Sequence, residues 1–519
     1  MAWINRKTSK RQMPSLQTKT ALIGLLLLIL NVIGCQPVAR QAEGVRPPPL
    51  LLISIDGMRH DYYDLTATPA LDRLIAGGLM ADSLKHVFPT KTFPTHYSIV
   101  TGRYPGTHGV VANSMWDPDQ NRRFSLGDRE QVGDGFWYQD GEPIWVTAQK
   151  QGLIAATYFW PGSEARIHRI RPAHWMPYSA QTPHTERVDQ VLAWLDLPAA
   201  QRPDLYTLYF SAVDSLGHRH GPRAEPVAAA LAEVDQQLGR LLDGLEQRGL
   251  LGNMHILIVS DHGMSQVDLD RYIMLDEYLD LGRVRVSDWG PAAQIWATDM
   301  SVDDIISALD GVHPNLRVWR REDIPARYRF GSHRRVPDVL AEADLEWMIS
   351  NKPYMAGRAR FSLQGMHGWD PAWLDMHGVF LAHGPKFAAG SKAPAVRSID
   401  LYALMTHLLN LEPADHEGSL EPLQAYLDLG HPVIPERRDF VCQPDNQSLR
   451  AVIGPAHMAL HWADRVHVLD RISESHYRDT DVEFQLEDNS ARVNIEDHEL
   501  HACRPVTRQE TTPGPSPGR

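Results

Sequence analysis

The chain has 519 residues with 51 Lys and Arg against 64 Asp and Glu, a formal charge of −13, and 43% of its residues are apolar. That is globular composition, and an acidic balance without basic runs excludes the electrostatic footprint of a protein that wraps duplex nucleic acid. Three cysteines, Cys35, Cys442 and Cys503, cannot build a thiolate zinc finger, so any metal chemistry must use His and carboxylates.

At the N-terminus, Lys7, Lys10, Arg11 and Lys19 precede an apolar run from Ala21 to Ile33, shorter than the roughly 20 residues a spanning helix needs. It reads as an export signal. Its end, Val32-Ile33-Gly34-Cys35, resembles the lipobox of bacterial lipoproteins, which implies a signal peptide over 1–34, lipidation of Cys35 and a tether over 35–49. Gln36 in place of Asp implies passage to the outer membrane, facing the periplasm or the cell surface. Export also supplies an oxidising compartment in which Cys442 and Cys503 can pair, a closure worth about 4 kcal/mol.

Leu50 to Ile55 is a short, nearly continuous apolar run that ends on Asp56-Gly57, the pattern of a parallel strand buried on both faces. It recurs at Tyr206 to Phe210, followed by Asp214, and at His255 to Ser260, followed by Asp261-His262-Gly263. Between the last two, Val227, Leu231, Val234, Leu238, Leu241 and Leu245 recur at helical spacing over Pro226 to Leu250. This predicts a crossover helix and an α/β fold with a parallel-rich sheet. Sites in such sheets lie beyond the carboxyl ends of the strands, where Asp56, Asp214 and Asp261 can converge.

Adding His218 of Asp214-Ser-Leu-Gly-His218, His262, and His367 of Gly365-Met-His-Gly368 gives three carboxylates and three imidazoles. Oxygen and nitrogen donors without sulfur suit two zinc-like ions, and a pair about 4 Å apart forms a clamp for in-line displacement at phosphorus. A nucleophile lies in Phe88-Pro-Thr-Lys-Thr-Phe-Pro94, where Pro94 suits the first turn of a helix and helix N-termini stabilise anions. Spacing alone does not choose among Thr90, Thr92 and Thr95.

Those motifs, with Ser98-Ile-Val-Thr-Gly102, His108-Gly109, Asn113-Ser-Met115 and Phe159-Trp-Pro-Gly-Ser163, look like the nucleotide pyrophosphatase/phosphodiesterase family of the alkaline phosphatase superfamily. The similarity runs from about Leu50 to Leu427, within a catalytic domain expected over 50–430. It implies an alkaline-phosphatase-like fold, two Zn2+ ions, and Thr92 as the nucleophile of a covalent nucleotidyl intermediate, with release of a nucleoside 5′-monophosphate. One metal takes Asp56, Thr92, Asp261 and His262, the other Asp214, His218 and His367. Asn113 matches the residue whose amide donates to a phosphate oxygen, and Phe93 with Tyr209 resembles the aromatic pair that sandwiches a base. Thr95 stands where the family usually has Asn.

The competing readings of the same metal site are a choline-type lipid-headgroup phosphodiesterase and a phosphomonoesterase. The latter needs extra positive charge, for which Lys91 is the obvious cation. A sulfatase is disfavoured because no cysteine lies between Cys35 and Cys442.

After about Arg438 the chain changes to short alternating runs, Leu449 to Ile453, Met458 to Trp462, Val466 to Leu469, Val482 to Leu486 and Ala491 to Ile495, which predict a small antiparallel β domain over 438–505. Phe440-Val-Cys442, Val466-His-Val-Leu469, Ser473-Glu-Ser-His-Tyr477, Val482-Glu-Phe484, Ala491-Arg-Val493 and Cys503 look like the membrane-bound inhibitors of c-type lysozyme, which implies a disulfide-closed β-barrel. Ser473 matches a residue that enters the lysozyme cleft, but Glu487-Asp488 replaces the expected Lys-Gly. A carboxylate there repels the catalytic carboxylates of lysozyme, which speaks against inhibition. The Pro- and Gly-containing tail over 506–519 is expected to be disordered.

Overall fold

In a computed structural model of the chain, the apolar run at Leu50–Ile55 is the central strand β1 of an eight-stranded sheet. The structure describes residues 46–506 except 359–362, 444–445, 488–489 and 496–497. The leader, Cys35, most of the tether, Asp488 and the tail beyond 506 therefore lie outside the described residues. Among the described residues no helix is long and apolar enough to cross a membrane.

The other sheet strands are β2 (Leu79–Ala81), β3 (Ala155–Tyr158), β4 (His174–Met176), β5 (Leu205–Phe210), β6 (His255–Val259), β7 (Phe380–His383) and β8 (Ser391–Ala393). Their spatial order is β8-β2-β7-β6-β1-β5-β3-β4. Strand β1 pairs in parallel with β5 and β6, Leu50 opposite both Leu205 and His255, whereas β7 runs antiparallel to β6 and β2. The sheet is thus parallel at its centre, as the double-sided burial of β1 requires.

Because side chains alternate along a strand, β1 feeds two cores. Leu51, Ile53 and Ile55 pack with Val227, Leu231, Val234, Leu238, Leu241 and Leu245 of the crossover helix. Leu50 and Leu52 face the opposite layer, where Tyr97, Ile99 and Val100 lie. Three helices matter to the site: α1 (Thr92–Thr101), α2 (Ala212–His220) and α3 (Glu225–Gln247), the last being the predicted crossover. A smaller four-stranded antiparallel sheet, Val284–Asp288, Ala292–Ala297, Leu316–Arg320 and Val339–Ala343, is inserted before β7.

The C-terminal part is a closed antiparallel barrel of eight strands. These are β9 (Glu436–Cys442), β10 (Gln447–Ile453), β11 (His457–Trp462), β12 (Arg465–Arg471), β13 (His476–Arg478), β14 (Val482–Glu487), β15 (Ser490–Ile495) and β16 (His498–Pro505). Cys442 and Cys503 face each other across β9 and β16 and are disulfide-bonded, both fully buried. The barrel has its own apolar interior, with Phe440, Leu449, Leu460, Tyr477 and Phe484 at its centre.

Candidate active site

The first group of functional side chains is placed by strand ends. Asp56 follows β1, and Asp261-His262 follows β6 after one further residue. Gly57 turns the chain sharply at a φ of 69°, its N–H donates to Asp261 Oδ1 at 3.2 Å, and a Cβ there would lie 2.9 Å from the Cα of Asp214. This close approach brings in α2, where Asp214 and His218, four residues apart, share one helix face with His218 Nε2 3.2 Å from Asp214 Oδ1. His367 arrives from a loop between the inserted sheet and β7.

The predicted ligands converge. His262 Nε2 lies 3.1 Å from Asp261 Oδ2 and 3.4 Å from Asp56 Oδ1, and His367 Nε2 lies 3.7 Å from Asp214 Oδ1. Candidate ligand atoms of Asp214, His218 and His367 fall within 4.8 Å of one another, as do those of Asp56, Asp214 and His262. Two adjacent groups thus meet at Asp214.

The donor atoms have the character of cation ligands. Asp56 Oδ1, Asp214 Oδ1, Asp261 Oδ2 and His262 Nε2 are buried without a hydrogen-bond partner, a costly arrangement unless a cation faces them. Each imidazole spends its Nδ1–H on a backbone carbonyl: His218 on Gly365 at 2.8 Å, His262 on Gly263 at 2.8 Å and His367 on Thr90 at 2.7 Å. That fixes the tautomer and turns every Nε2 toward the carboxylates.

The charges lead to the same conclusion. Burial, together with Asp261 and Asp214, raises the Asp56 carboxyl well above the ordinary carboxylate range. Burial also opposes ionisation of the other two, but His218 holds Asp214 at about 2, while His262 and His96 hold Asp261 well below its usual value. Burial and the neighbouring His262 push His367 well below its usual value, which keeps it neutral. Two ionised carboxylates packed against a third that resists ionisation fit divalent cations.

The structure separates the three threonines. Thr90 is buried and ties two loops together, its hydroxyl donating to Trp369 O at 2.9 Å and accepting from Gly368 N at 3.0 Å. Thr95 is buried inside α1. Thr92, the first residue of α1, is partly exposed and lines a cavity of about 560 Å3 that also reaches Asp56, Asp214, His218 and His367. Asn113 lines the same cavity, its Oδ1 accepting from Phe93 N at 2.9 Å, so its amide N–H groups are left for a ligand. Lys91 points away: its ammonium is buried, ion-paired with Asp288 and bonded to Trp289 O at 3.1 Å.

Phe93 and Tyr209 both line the cavity. Tyr209 is only 7% exposed and its hydroxyl donates to Asp56 Oδ2, so it orients a carboxylate as well as forming a wall. Tyr178, a more exposed aromatic wall, is a residue that sequence reasoning missed, since it sits in a loop after β4 with no strand end or motif to mark it. His96 was missed as well. One turn along α1 from Thr92, its Nδ1 lies 2.8 Å from Thr92 O and 3.3 Å from Asp261 Oδ2, and its Nε2 lies 2.8 Å from Ser54 Oγ.

Residues 50–370 match the family model of type I phosphodiesterase / nucleotide pyrophosphatase. Human ectonucleotide pyrophosphatase/phosphodiesterase family member 5 is 36% identical over 397 residues, covering 76% of this chain and 81% of the human protein. Mouse family member 1 is 37% identical over 76% of this chain, which spans only 45% of that longer relative, and a venom phosphodiesterase of Macrovipera lebetinus is 36% identical with 45% of its length covered. Among solved structures, murine ectonucleotide pyrophosphatase/phosphodiesterase 5, as an inactive threonine-to-alanine variant in complex with AMP, superposes with a TM-score of 0.70 at 36% identity, over 73% of this chain and all of that one. With a family model matched over more than half of its length and a relative 36% identical over 81% of that relative's length, the chain belongs to the type I phosphodiesterase/nucleotide pyrophosphatase family.

Proposed function

We propose that the protein hydrolyses nucleotide phosphodiester or pyrophosphate bonds by double displacement through Thr92 and releases a nucleoside 5′-monophosphate. The observation that carries this reading is that Thr92, alone of three neighbouring threonines, opens onto the cavity where the ligand carboxylates and imidazoles converge. Asp56, Thr92, Asp261 and His262 would hold one zinc ion, and Asp214, His218 and His367 the other. Bound there, the two ions supply positive charge for a phosphate in flight.

The chain's own groups do the rest. Thr92 Oγ1 forms the bond to phosphorus as the leaving oxygen departs, and water then breaks that bond, freeing Thr92 and the monophosphate. The start of α1 favours negative charge at Thr92, and the Asn113 amide donates to a phosphate oxygen as its charge grows. Phe93 and Tyr178 offer flat faces for a base, in keeping with the AMP bound by the murine relative. Asp288 neutralises Lys91, so the lysine next to Thr92 offers no free positive charge to a dianionic monoester, which favours diesters.

The aromatic walls also suit a quaternary ammonium, so a choline phosphodiester is the second reading. The test compares kcat/KM on the full chain with added zinc for a nucleoside 5′-phosphodiester, a choline phosphodiester and a nitrophenyl phosphomonoester. Preference for the nucleotide by about 100-fold or more is expected; preference for either other substrate overturns the assignment.

The leader supports an exported protein anchored to a membrane through Cys35. Incorporation of labelled fatty acid that is lost in Cys35→Ser tests this.

A further inference from the structure

The loop that delivers His367 does not end at the metal-type site. Residues 367–369 are fastened from below by Thr90, through the His367 Nδ1 and Gly368 N–H bonds already described. Residues 370–374 are fastened from the other side by the barrel. Val466 N donates to Ala372 O at 2.8 Å and Leu374 N donates to Asp464 O at 2.8 Å, so the turn between β11 and β12 adds a short antiparallel bridge, Arg465 opposite Trp373. The Arg465 guanidinium covers the Trp373 ring at 4.5 Å and lies 3.9 Å from the buried Asp370 carboxylate. Leu374 packs on a small apolar cluster built by barrel residues Val452, Ala459, Val466 and Val468 with Ala395 of the body.

The same segment then reaches the second ligand group. Gly263, next to His262, donates its N–H to Met376 O at 3.0 Å, and a Cβ on Gly263 would sit 2.1 Å from Asp375 O. Asp375 accepts from Arg59 at 2.9 Å and from Ser265 at 2.8 Å. One ten-residue stretch therefore joins His367, the Asp261-His262-Gly263 turn and the barrel, and the barrel holds it through two main-chain bonds together with the Arg465 side chain and the apolar contact of Leu374.

We propose that the C-terminal barrel is a brace for the metal site, its β11–β12 turn clamping residues 370–374 so that His367 and His262 are held with both Nε2 atoms aimed into the site. Asp464, Arg465 and Val466 are then positioning residues. This gives the appended domain a role in the chemistry that requires no outside partner, and it rests on the reading of His367 and His262 as metal ligands. Outer groups that orient ligating histidines are worth about 10- to 100-fold in metal affinity.

The test is a zinc titration of the metal-free full chain against a chromogenic chelator, with Arg465→Ala and Arg465→Lys compared to wild type. Arg465→Ala is expected to bind zinc about ten-fold more weakly, and Arg465→Lys, which keeps a cation near Asp370 and the Trp373 face, is expected to recover part of that loss. Unchanged zinc affinity in Arg465→Ala overturns the proposal, including the case where only the melting temperature falls, because a purely structural contact would move stability alone. If Arg465→Ala does not fold, Leu374→Ala, which trims the apolar contact and leaves the ion pairs, must show the same weakening, and its absence overturns the proposal equally. A wild-type chain that binds no zinc would instead refute the metal-ligand reading on which the brace depends.

Discussion

The imidazoles of His262 and His367 lie face to face, with ring centroids 3.3 Å apart and planes 9° from parallel. They are far apart in sequence, one following the end of β6 and one in the loop before β7, and belong to the two different ligand groups. Two imidazolium rings would repel in that arrangement, so the stack is stable only with at least one ring neutral. Neutral rings with Nδ1–H spent on carbonyls are metal-ready donors.

Removing the ions should therefore destabilise the fold as well as stop turnover. A metal present at 1,000 times its dissociation constant stabilises the folded chain by about 4 kcal/mol. Without it Asp56, Asp214 and Asp261 face one another in a buried space. We expect a chelator to lower the melting temperature by on the order of 10 °C, with recovery on adding zinc. A thermal scan with and without chelator checks this, and an unchanged midpoint would remove the cations from the site.

Thr92→Ala should lose turnover by about 10³-fold or more, as expected for a nucleophile, while retaining its metal content. Thr92→Ser, which keeps a hydroxyl at the start of α1, should retain a measurable fraction of activity. Metal analysis alongside single-turnover kinetics separates loss of the nucleophile from loss of the ion. Near-normal rates in Thr92→Ala would refute the covalent route.

Asn113 has one amide face fixed by Phe93 N and the other open to the cavity. Its contribution should appear where charge develops. Asn113→Ala is expected to lower kcat by about 10²- to 10³-fold with a much smaller change in KM. A change confined to KM would make Asn113 a substrate-binding group instead.

Much of this site was legible because strand ends are local events. An apolar run that stops on Asp56, or on Asp261-His262, announces both the strand and the carboxylate. The helical spacing from Val227 to Leu245 supplied the crossover that makes the strands parallel. The barrel strands were readable for the same reason: alternation marks Val482 and Ala491 as starts of half-buried segments. What stayed hidden depends on contacts distant in sequence. Nothing near Lys91 discloses that Asp288, on an inserted strand, neutralises it. Tyr178 carries no periodic signal, and Tyr209 looks like a base-stacking ring until its hydroxyl is seen on Asp56. The closure of the barrel rests on three residue pairs between β9 and β16, Phe440–Cys442 against Cys503–Pro505, more than 60 residues apart, so it could not come from either segment alone.

Tyr209 can be tested on this basis. Tyr209→Phe keeps the ring and deletes only the hydroxyl that holds Asp56 Oδ2. If the tyrosine chiefly orients the carboxylate, zinc affinity falls by about ten-fold while selectivity among nucleoside bases is retained. If selectivity changes and metal affinity does not, the ring itself is the recognition element. Zinc titration and kcat/KM across four nucleoside diesters distinguish the two.

Acid should loosen the seam between barrel and body. His457, the first residue of β11, is fully buried; burial, reinforced by Arg397, pushes its imidazole down to about 4, with Asp470 and the Ala395 carbonyl opposing. Its folded value lies below the unfolded value of 6.5. Its contribution is thus complete above pH 6.5 and is lost as pH falls toward 4. Between pH 7 and pH 5 this amounts to about 2 kcal/mol, at 1.36 kcal/mol per unit. His467, pushed by burial to about 3, works in the same direction. Glu342 works against them: burial and Asp370 raise it to about 7, so its contribution is present at low pH and is lost as pH rises through 7. The total slope mixes the two signs, and the informative quantity is the difference between wild type and His457→Gln. Urea unfolding at pH 7 and pH 5 should show a smaller acid loss in the variant; equal losses would mean that His457 does not titrate in this range.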